Sequence, residues 1–160
     1  MNADEILKNN PDIKFSNGKY NKKKDSDFKL LSDLETFSND LKRISNNFKK
    51  IPRKRKMDFI LNVVEPICEA LCELSYANSI KVNNNISAYR RLNHDDKMLY
   101  NINKAETNIQ NLPRQYCQKI PDEYLSKKWF IKITDNIQYI EKKAESYYKS
   151  EEKRYLKYIE

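Results

Sequence analysis

Apolar residues recur along most of this chain at spacings of three, four and seven, the period of an amphipathic α-helix. Asp25, Ser26 and Asp27 have good capping chemistry and predict the start of a first helix that ends near residues 45–47. The apolar positions of this helix are Phe28, Leu31, Leu34, Leu41, Ile44 and Phe48.

A second stripe predicts a helix from Pro52 to about residue 78. Pro66 lies inside it and removes one backbone hydrogen bond, so we expect a kink there. The apolar positions are Met57, Ile60, Leu61, Val64, Ile67, Cys68, Leu71 and Leu74.

Residues 79–93 fit a loop or a short helix, and the run Asn83-Asn84-Asn85 favours a loop first. A third helix is predicted from Asp95 to about Leu112, with apolar positions Met98, Leu99, Ile102, Ala105, Ile109 and Leu112. Pro113 and Pro121 follow its end.

A fourth helix is predicted from about Asp122, with apolar positions Leu125, Trp129, Ile133, Ile137, Ile140, Ala144 and Tyr147. Its charged continuation can extend to the C-terminus. No segment has the pattern of a strand. We therefore predict an all-α fold: an antiparallel four-helix bundle over residues 25–160 with an extended C-terminal helix, preceded by a flexible polar arm of residues 1–24.

The chain carries an excess of positive charge. The 160 residues, enough for one domain, include 31 Lys and Arg against 23 Asp and Glu, a net charge of +8. Such an excess indicates a polyanionic partner, either nucleic acid or an acidic protein surface. The single glycine, Gly18, nearly excludes dinucleotide-binding folds and phosphate loops, which need glycine at tight turns.

Three cysteines, Cys68, Cys72 and Cys117, have neither an even count nor Cys-x-x-Cys spacing. They are interpreted as reduced thiols of an intracellular protein, so we expect a cytoplasmic location. No apolar run is long enough to cross a membrane, and the first residues do not resemble a signal peptide. We expect no membrane association.

The densest charge lies at the predicted start of the second helix. We call Lys49, Lys50, Arg53, Lys54, Arg55 and Lys56 the basic corner. Cations are unfavourable at a helix N-terminus, so this crowding predicts an anionic ligand, with phosphate as the first candidate. The alternative is a solvated face that keeps the chain soluble.

A possible secondary basic patch lies near the C-terminus and comprises Lys142, Lys143, Lys149, Lys153 and Arg154. Tyr147, Tyr148, Tyr155 and Tyr158 alternate with these cations, a composition that can combine phosphate contacts with base stacking. The alternative is that the tyrosines pack in the core or between subunits. We favour the core for Tyr147.

Candidate chemistry elsewhere is weak. His94 precedes Asp95 and Asp96, where a helix cap is favoured over catalysis. Cys68 and Cys72 are one helical turn apart, and core packing is favoured over a metal site. Glu65, Glu69 and Glu73 form an acidic stripe with members four residues apart. Either a basic surface of another helix or of a second subunit faces this stripe, or it is a solvated face. We predict no enzyme activity, no catalytic residue, no metal and no cofactor.

The order of elements resembles a known family. An amphipathic helix, the hydrophobic-proline-basic step from Phe48 to Lys54, and a long helix ending in Leu71-Cys72-Glu73-Leu74-Ser75-Tyr76-Ala77-Asn78 look like the accessory variability determinant (Avd) proteins of diversity-generating retroelements and their relatives in ribosomal intervening sequences. The resemblance covers residues 27–150. The third helix, which reads Asn108-Ile109-Gln110-Asn111, and the glycine-free fourth helix depart from the family pattern.

The resemblance implies a basic bundle, a homo-oligomer and typically a pentamer, that binds a reverse transcriptase and its RNA template. Arg53 and Lys54 match the family's basic step and are its binding candidates. Our leading hypothesis is therefore a nucleic-acid-binding accessory protein acting on RNA or DNA. The alternative is a protein-interaction module of a phage or mobile element that modulates a protein complex through a charged helical face.

Overall fold

The computed structural model describes residues 22–116 and 127–159. Helix α1 spans Lys22–Ser45, α2 spans Lys56–Phe59, α3 spans Glu65–Ser79, α4 spans Asn85–Gln110 and α5 spans Leu112–Tyr116. Helix α6 spans Lys128–Arg154 and α7 spans Leu156–Ile159. Within the described residues the secondary structure is helical and contains no strand, so the fold is all-α as predicted.

Residues 56–79 form one uninterrupted helical rod, in which α2 and α3 are joined by a π-helical turn, Ile60–Val64. Helix α1 packs against this rod, the rod against α4, α4 against α6, and α6 against α1. Side-chain bonds fix the direction of neighbouring helices: Glu73 meets His94 and Asn62 meets Asn108, so the rod and α4 are antiparallel.

The predicted apolar stripes form the core. Helix α1 contributes Leu34, Leu41 and Ile44, α4 contributes Met98, Ile102, Ala105 and Ile109, and α6 contributes Ile133, Ile137, Ile140, Ala144 and Tyr147, all buried. These predicted positions are confirmed, while the predicted Leu31, Leu99 and Trp129 are half-buried. Burying a continuous apolar face on each helix is the main favourable term in such a fold.

The rod buries a different face at its N-terminal end from the one predicted. Met57 and Leu61 are exposed, while Phe59 and Val63 are fully buried. A π-helical turn holds one more residue than an α-helical turn, so it rotates the preceding residues about the axis. The 3.6-residue period therefore predicted the buried face correctly after the turn, at Ile67. Before the turn, it placed the buried face about one residue too far towards the C-terminus.

Pro66 explains where this turn lies. Because proline has no N–H, the carbonyl four residues earlier, on Asn62, lacks its usual helical donor. Asn108 on α4 supplies one, with Nδ2 donating to the Asn62 carbonyl oxygen at 2.7 Å. The predicted interruption at Pro66 thus takes the form of a π-helical turn stabilised by a neighbouring helix.

Two predicted helix starts differ from the structure, and a third cannot be compared with it. Helix α1 begins at Lys22, so the last three residues of the predicted arm are helical; the rest of that arm lies outside the described residues. Helix α4 begins at Asn85, ten residues before the predicted Asp95, because Asn84 forms a capping box with Ser87. Helix α6 begins at Lys128, after Lys127 in an extended conformation, and the predicted start at Asp122 lies outside the described residues.

The C-terminal helix also ends earlier than a single extension would. Tyr155, with φ −104° and ψ 12°, separates α6 from α7. Helix α7 returns to α4, and Tyr89 donates its hydroxyl to the carbonyl oxygen of Ile159 at 3.4 Å. In the described parts of the chain no helix is long and apolar enough to span a membrane.

We predict that Asn108→Ala lowers the free energy of unfolding by about 1–3 kcal/mol, because it leaves the Asn62 carbonyl without its donor. The loss should be smaller in a Pro66→Ala background, where residue 66 regains an N–H. Denaturant unfolding of the four proteins of this double-mutant cycle measures the coupling. Asn101→Ala is the matched control, since Asn101 bonds only within its own helix, to Lys97; strictly additive effects would contradict the prediction.

Burial, followed by the neighbouring charge of Glu145, raises the pKa of Glu106 above its ordinary value. The native state therefore holds this proton at pH values where the unfolded chain has lost it, and stability falls as pH rises through that window. We predict that Glu106→Gln raises the melting temperature at pH 7 and that the gain disappears in acid. Thermal unfolding across pH measures it, with the exposed Glu69→Gln as control; a gain independent of pH would contradict the cause.

Candidate nucleic-acid interface

The basic corner is built on a turn whose backbone groups are satisfied by asparagine. After α1 ends, the Asn47 side-chain oxygen Oδ1 accepts the N–H of Lys49 at 3.0 Å. The Asn47 carbonyl oxygen accepts the N–H groups of Lys50 and Ile51, at 2.9 and 3.0 Å. Asparagine favours such turns because its side chain can bond the backbone two residues further on.

Ile51 anchors this turn in the core. Its side chain is fully buried although cations flank it on both sides in the sequence. Pro52 follows in an extended conformation, with φ −54° and ψ 143°, and its carbonyl accepts the N–H of Arg55 at 2.8 Å. That bond opens a 3₁₀ turn, Arg53–Arg55, none of whose side chains is buried. Proline was predicted in the first helical turn and lies just before it.

The six predicted cations lie together at this end of the molecule. Those that are exposed are Lys49, Arg53, Lys54 and Arg55, and those that are half-buried are Lys50 and Lys56. Lys56 Nζ donates to Asn46 Oδ1 at 2.8 Å, a neutral partner that leaves the charge uncompensated. Arg55 reaches Asp58 at 3.4 Å on the surface, where such pairs contribute little.

Phe48 lies among these cations, and half of its side chain, 51%, is exposed. The guanidinium carbon of Arg53 is 5.8 Å from the ring centroid and Lys56 Nζ is 6.0 Å from it. Both are within cation–π range. The sequence pattern predicted Phe48 as a core position of the first helix, but the chain has already left that helix at Ser45.

The electrostatic character follows from the local sequence. Residues 42–58 contain eight Lys and Arg residues and one carboxylate, Asp58. Like charges held this close raise the local potential and attract anions, and the effect is strongest at low salt. The turn therefore offers several positive groups in a geometry that Ile51 fixes.

Two members of the secondary patch are engaged within the chain. Lys143 Nζ donates to Asp33 Oδ2 at 2.9 Å and lies 4.6 Å from the Tyr139 ring centroid. Burial would lower the pKa of Lys143, but its hydrogen bonds with Tyr139 and Asp33 raise it overall. Arg154 lies 3.7 Å from Glu151. The remaining members are exposed: Lys142, Lys149 and Lys153.

A buried polar network at the same end of α6 was missed by the sequence analysis. Arg91 Nε donates to Glu151 Oε1 at 2.7 Å, and Arg91 Nη1 donates to the Ile80 carbonyl at 3.0 Å. Tyr147 Oη lies 2.7 Å from the same carboxylate oxygen. The signal was available, because Arg91 falls on the helical stripe that buries Ala88 and Leu92.

This network shifts the titration of its members. Burial would lower the pKa of Arg91, but the charge of Glu151 raises it above its ordinary value. Burial, together with the nearby charges of Asp95 and Glu151, raises the pKa of Tyr147. Arg91 and Glu151 thus form a buried ion pair. Tyr147 belongs to the core, as predicted.

The other candidate residues are placed differently from the prediction. His94 does not cap a helix, since it lies inside α4 with Nδ1 2.5 Å from Glu73 Oε2. Glu73 contacts His94, whereas Glu65 and Glu69 are exposed, so the stripe as a whole does not face a lysine or arginine surface within the described residues. Cys72 is exposed and not in the core; both Cys68 and Cys72 are free thiols, and Cys117 lies outside the described residues. Within residues 22–116 and 127–159, no group of three or more His, Cys, Asp or Glu could hold a metal ion.

We predict that Ile51→Ala lowers the free energy of unfolding by about 2–5 kcal/mol, because it leaves a cavity beneath the basic corner. Ile51→Val should lose only about 0.5–1.5 kcal/mol. Ile131, which is 46% exposed, provides the matched control, and Ile131→Ala should change stability by no more than about 0.5 kcal/mol. Chemical denaturation measures all three; equal losses for the two alanine variants would show that Ile51 is not an anchor.

Comparisons of the chain with protein-family models, with curated proteins and with solved structures find no match. The candidate interface is therefore argued from its own geometry: a turn held by a buried isoleucine, with cations exposed around a half-exposed aromatic ring.

Proposed function

We propose that this protein is a non-enzymatic nucleic-acid-binding accessory protein whose basic corner contacts phosphate groups. The observation that carries the proposal is the charge of residues 42–58, eight cations against one carboxylate, on a turn that is anchored in the core. Cations that bind phosphates release condensed counterions from the nucleic acid, which supplies most of the affinity of such contacts.

The exposure of the cations supports phosphate over an internal role. Lys49, Arg53 and Lys54 are exposed on a turn whose backbone is held by hydrogen bonds and by the buried Ile51, so little backbone order must be added when an anion binds. By contrast, Arg91 is buried against Glu151 and serves the fold. Phe48, between Arg53 and Lys56, adds an aromatic face on which a base can stack.

We further propose that α1, the rod 56–79, α4 and α6 make an antiparallel four-helix bundle. Contacts between each of these elements and the next, from α1 round to α6 and back to α1, support this arrangement. The resemblance to Avd proteins adds a homo-oligomer, a pentamer by analogy, with a reverse transcriptase and its RNA as partners. The unpaired thiols of Cys68 and Cys72 agree with a cytoplasmic location in this proposal.

A second candidate is a protein-interaction module, and one observation favours it. Met57 and Leu61 lie one helical turn apart next to the basic corner, and they are 63% and 48% exposed. Exposed apolar side chains beside charges are typical of a protein contact surface. In this case the charged face would bind an acidic protein, and nucleic acid would be retained only nonspecifically.

We predict that the triple variant Lys49→Ala, Arg53→Ala, Lys54→Ala flattens the log–log dependence of nucleic-acid affinity on salt by about 2 to 3 units, since each phosphate contact contributes about 0.7 to 0.9. These three cations are chosen because Arg55 and Lys56 have partners within the chain. Fluorescence anisotropy with labelled RNA and DNA at several salt concentrations measures the slope.

The matched control removes the same charge elsewhere: Arg90→Ala, Lys97→Ala, Lys104→Ala, three exposed cations on α4. The control variant should keep the slope of the parent protein. Equal slopes for the two triple variants would remove the basic corner as the phosphate site and favour the second candidate.

A further inference from the structure

A groove of about 250 Å³ lies beside the basic corner, between the end of α1 and the start of α6. The groove and the basic corner share the turn after α1, since Asn47 and Lys50 line the groove and also belong to that turn. The groove and the basic corner are therefore contiguous.

The groove is positively charged. Three cations line it, Arg43 from α1, Lys50 from the turn and Lys132 from α6, against one carboxylate, Asp40. Arg43 reaches Asp40 at 3.4 Å, but its side chain is 80% exposed, so this pair is weak. The excess of positive charge suits an anionic ligand.

One wall of the groove is aromatic. Trp129, the single tryptophan of the chain, lines it from the first turn of α6. The indole is partly buried, and it contacts the buried Phe130 edge to face at a centroid distance of 6.0 Å. Partial burial holds the indole in place while leaving part of it at the groove surface.

We propose that this groove binds an unpaired base of a single-stranded nucleic acid, with the neighbouring phosphates on Lys50, Lys132 and the basic corner. An aromatic wall between cations is the combination with which proteins bind single strands, because bases stack on the ring and phosphates pair with the charges. The inference rests on the proposed function and adds to it a preference for unpaired bases.

The size and chemistry of the groove favour this occupant. Sites for drug-sized ligands measure about 300–1,000 Å³, so a smaller groove suits one planar ring. Bases of a duplex are stacked and paired, and they cannot enter without being flipped out. An acidic peptide would satisfy the cations but would make no use of the indole.

The test uses the fluorescence of the unmodified full chain, excited at a wavelength that tyrosine does not absorb, so that the signal comes from Trp129, the single tryptophan. The protein is titrated with an oligothymidylate of about ten nucleotides, with an abasic oligonucleotide of the same length and charge, and with a duplex. We expect quenching by the oligothymidylate and much weaker quenching by the abasic strand and the duplex at equal saturation, as monitored by anisotropy.

The outcomes separate the two proposals. If the strands bind but quench Trp129 equally or not at all, the groove is not a base site, and the phosphate site at the basic corner still stands. If neither strand binds, the proposed function fails as well. Equal quenching by an acidic peptide such as poly-glutamate would overturn the base assignment in favour of a protein ligand.

Two variants test the wall and the charge. Trp129→Leu should reduce the preference for the oligothymidylate over the abasic strand by about 5- to 150-fold, the usual contribution of one stacked base, whereas Trp129→Phe should retain part of it. Lys132→Ala should weaken both strands alike, and Lys104→Ala, outside the groove, should weaken neither. If Trp129→Leu fails to fold by circular dichroism, the titration of the unmodified chain still decides; an unchanged preference in folded Trp129→Leu would overturn the proposal.

Discussion

The burial of Ile51 within a run of cations is the contact on which the geometry of this molecule's charged end depends. Six cations between residues 49 and 56 repel one another, and an unanchored segment would spread them apart in water. The core holds the middle of the segment instead, because the Ile51 side chain is fully buried. Asn47 and Pro52 then fix the backbone on either side, so the charges lie on a defined turn.

The buried ion pair between Arg91 and Glu151 contrasts with the exposed cations of the basic corner. Arg91 and Glu151 are brought out of water together, at 2.6 Å, with Tyr147 and the Ile80 carbonyl completing their hydrogen bonds. A buried charge needs such compensation, because leaving it alone costs several kcal/mol. In the basic corner, Lys56 contacts the neutral Asn46 and Arg55 contacts the exposed Asp58, and the exposed cations are Lys49, Arg53, Lys54 and Arg55. Charge thus has a structural use at one site and is available for a ligand at the other.

Much of the fold could be predicted from the sequence, and the failures have local causes. The stripes of α1, α4 and α6 follow a period of 3.6 residues, and most of their buried positions were predicted, although the buried Leu30, Phe37 and Phe130 were missed. The start of the rod was predicted out of phase, because a π-helical turn before Pro66 is set by a contact with Asn108, which no local pattern records. The start of α4 was missed because the run Asn83-Asn84-Asn85 favours a loop, and the capping pair Asn84 and Ser87 was the available signal.

The candidate site likewise combines features that the local sequence predicts with features that depend on tertiary contacts. Its cations form a run in the sequence and were predicted together, but their exposure depends on where α1 ends and on the burial of Ile51. The groove beside them could not be predicted at all, because Arg43 and Lys132 are far apart in the sequence and meet only through the packing of α1 against α6.

The α1–α6 seam also explains why the secondary patch is a poorer candidate than the basic corner. A second opening of about 540 Å³ lies on this seam and is lined by Lys29, Lys142 and Lys143, so it too is basic. There, however, Lys143 already donates to Asp33 across the seam, and binding an anion would compete with that contact. At the corner end, Arg43 has only a surface pair to lose. Cations therefore line both of these openings, and the Arg43–Asp40 pair at the corner end is weaker than the Lys143–Asp33 contact at the other.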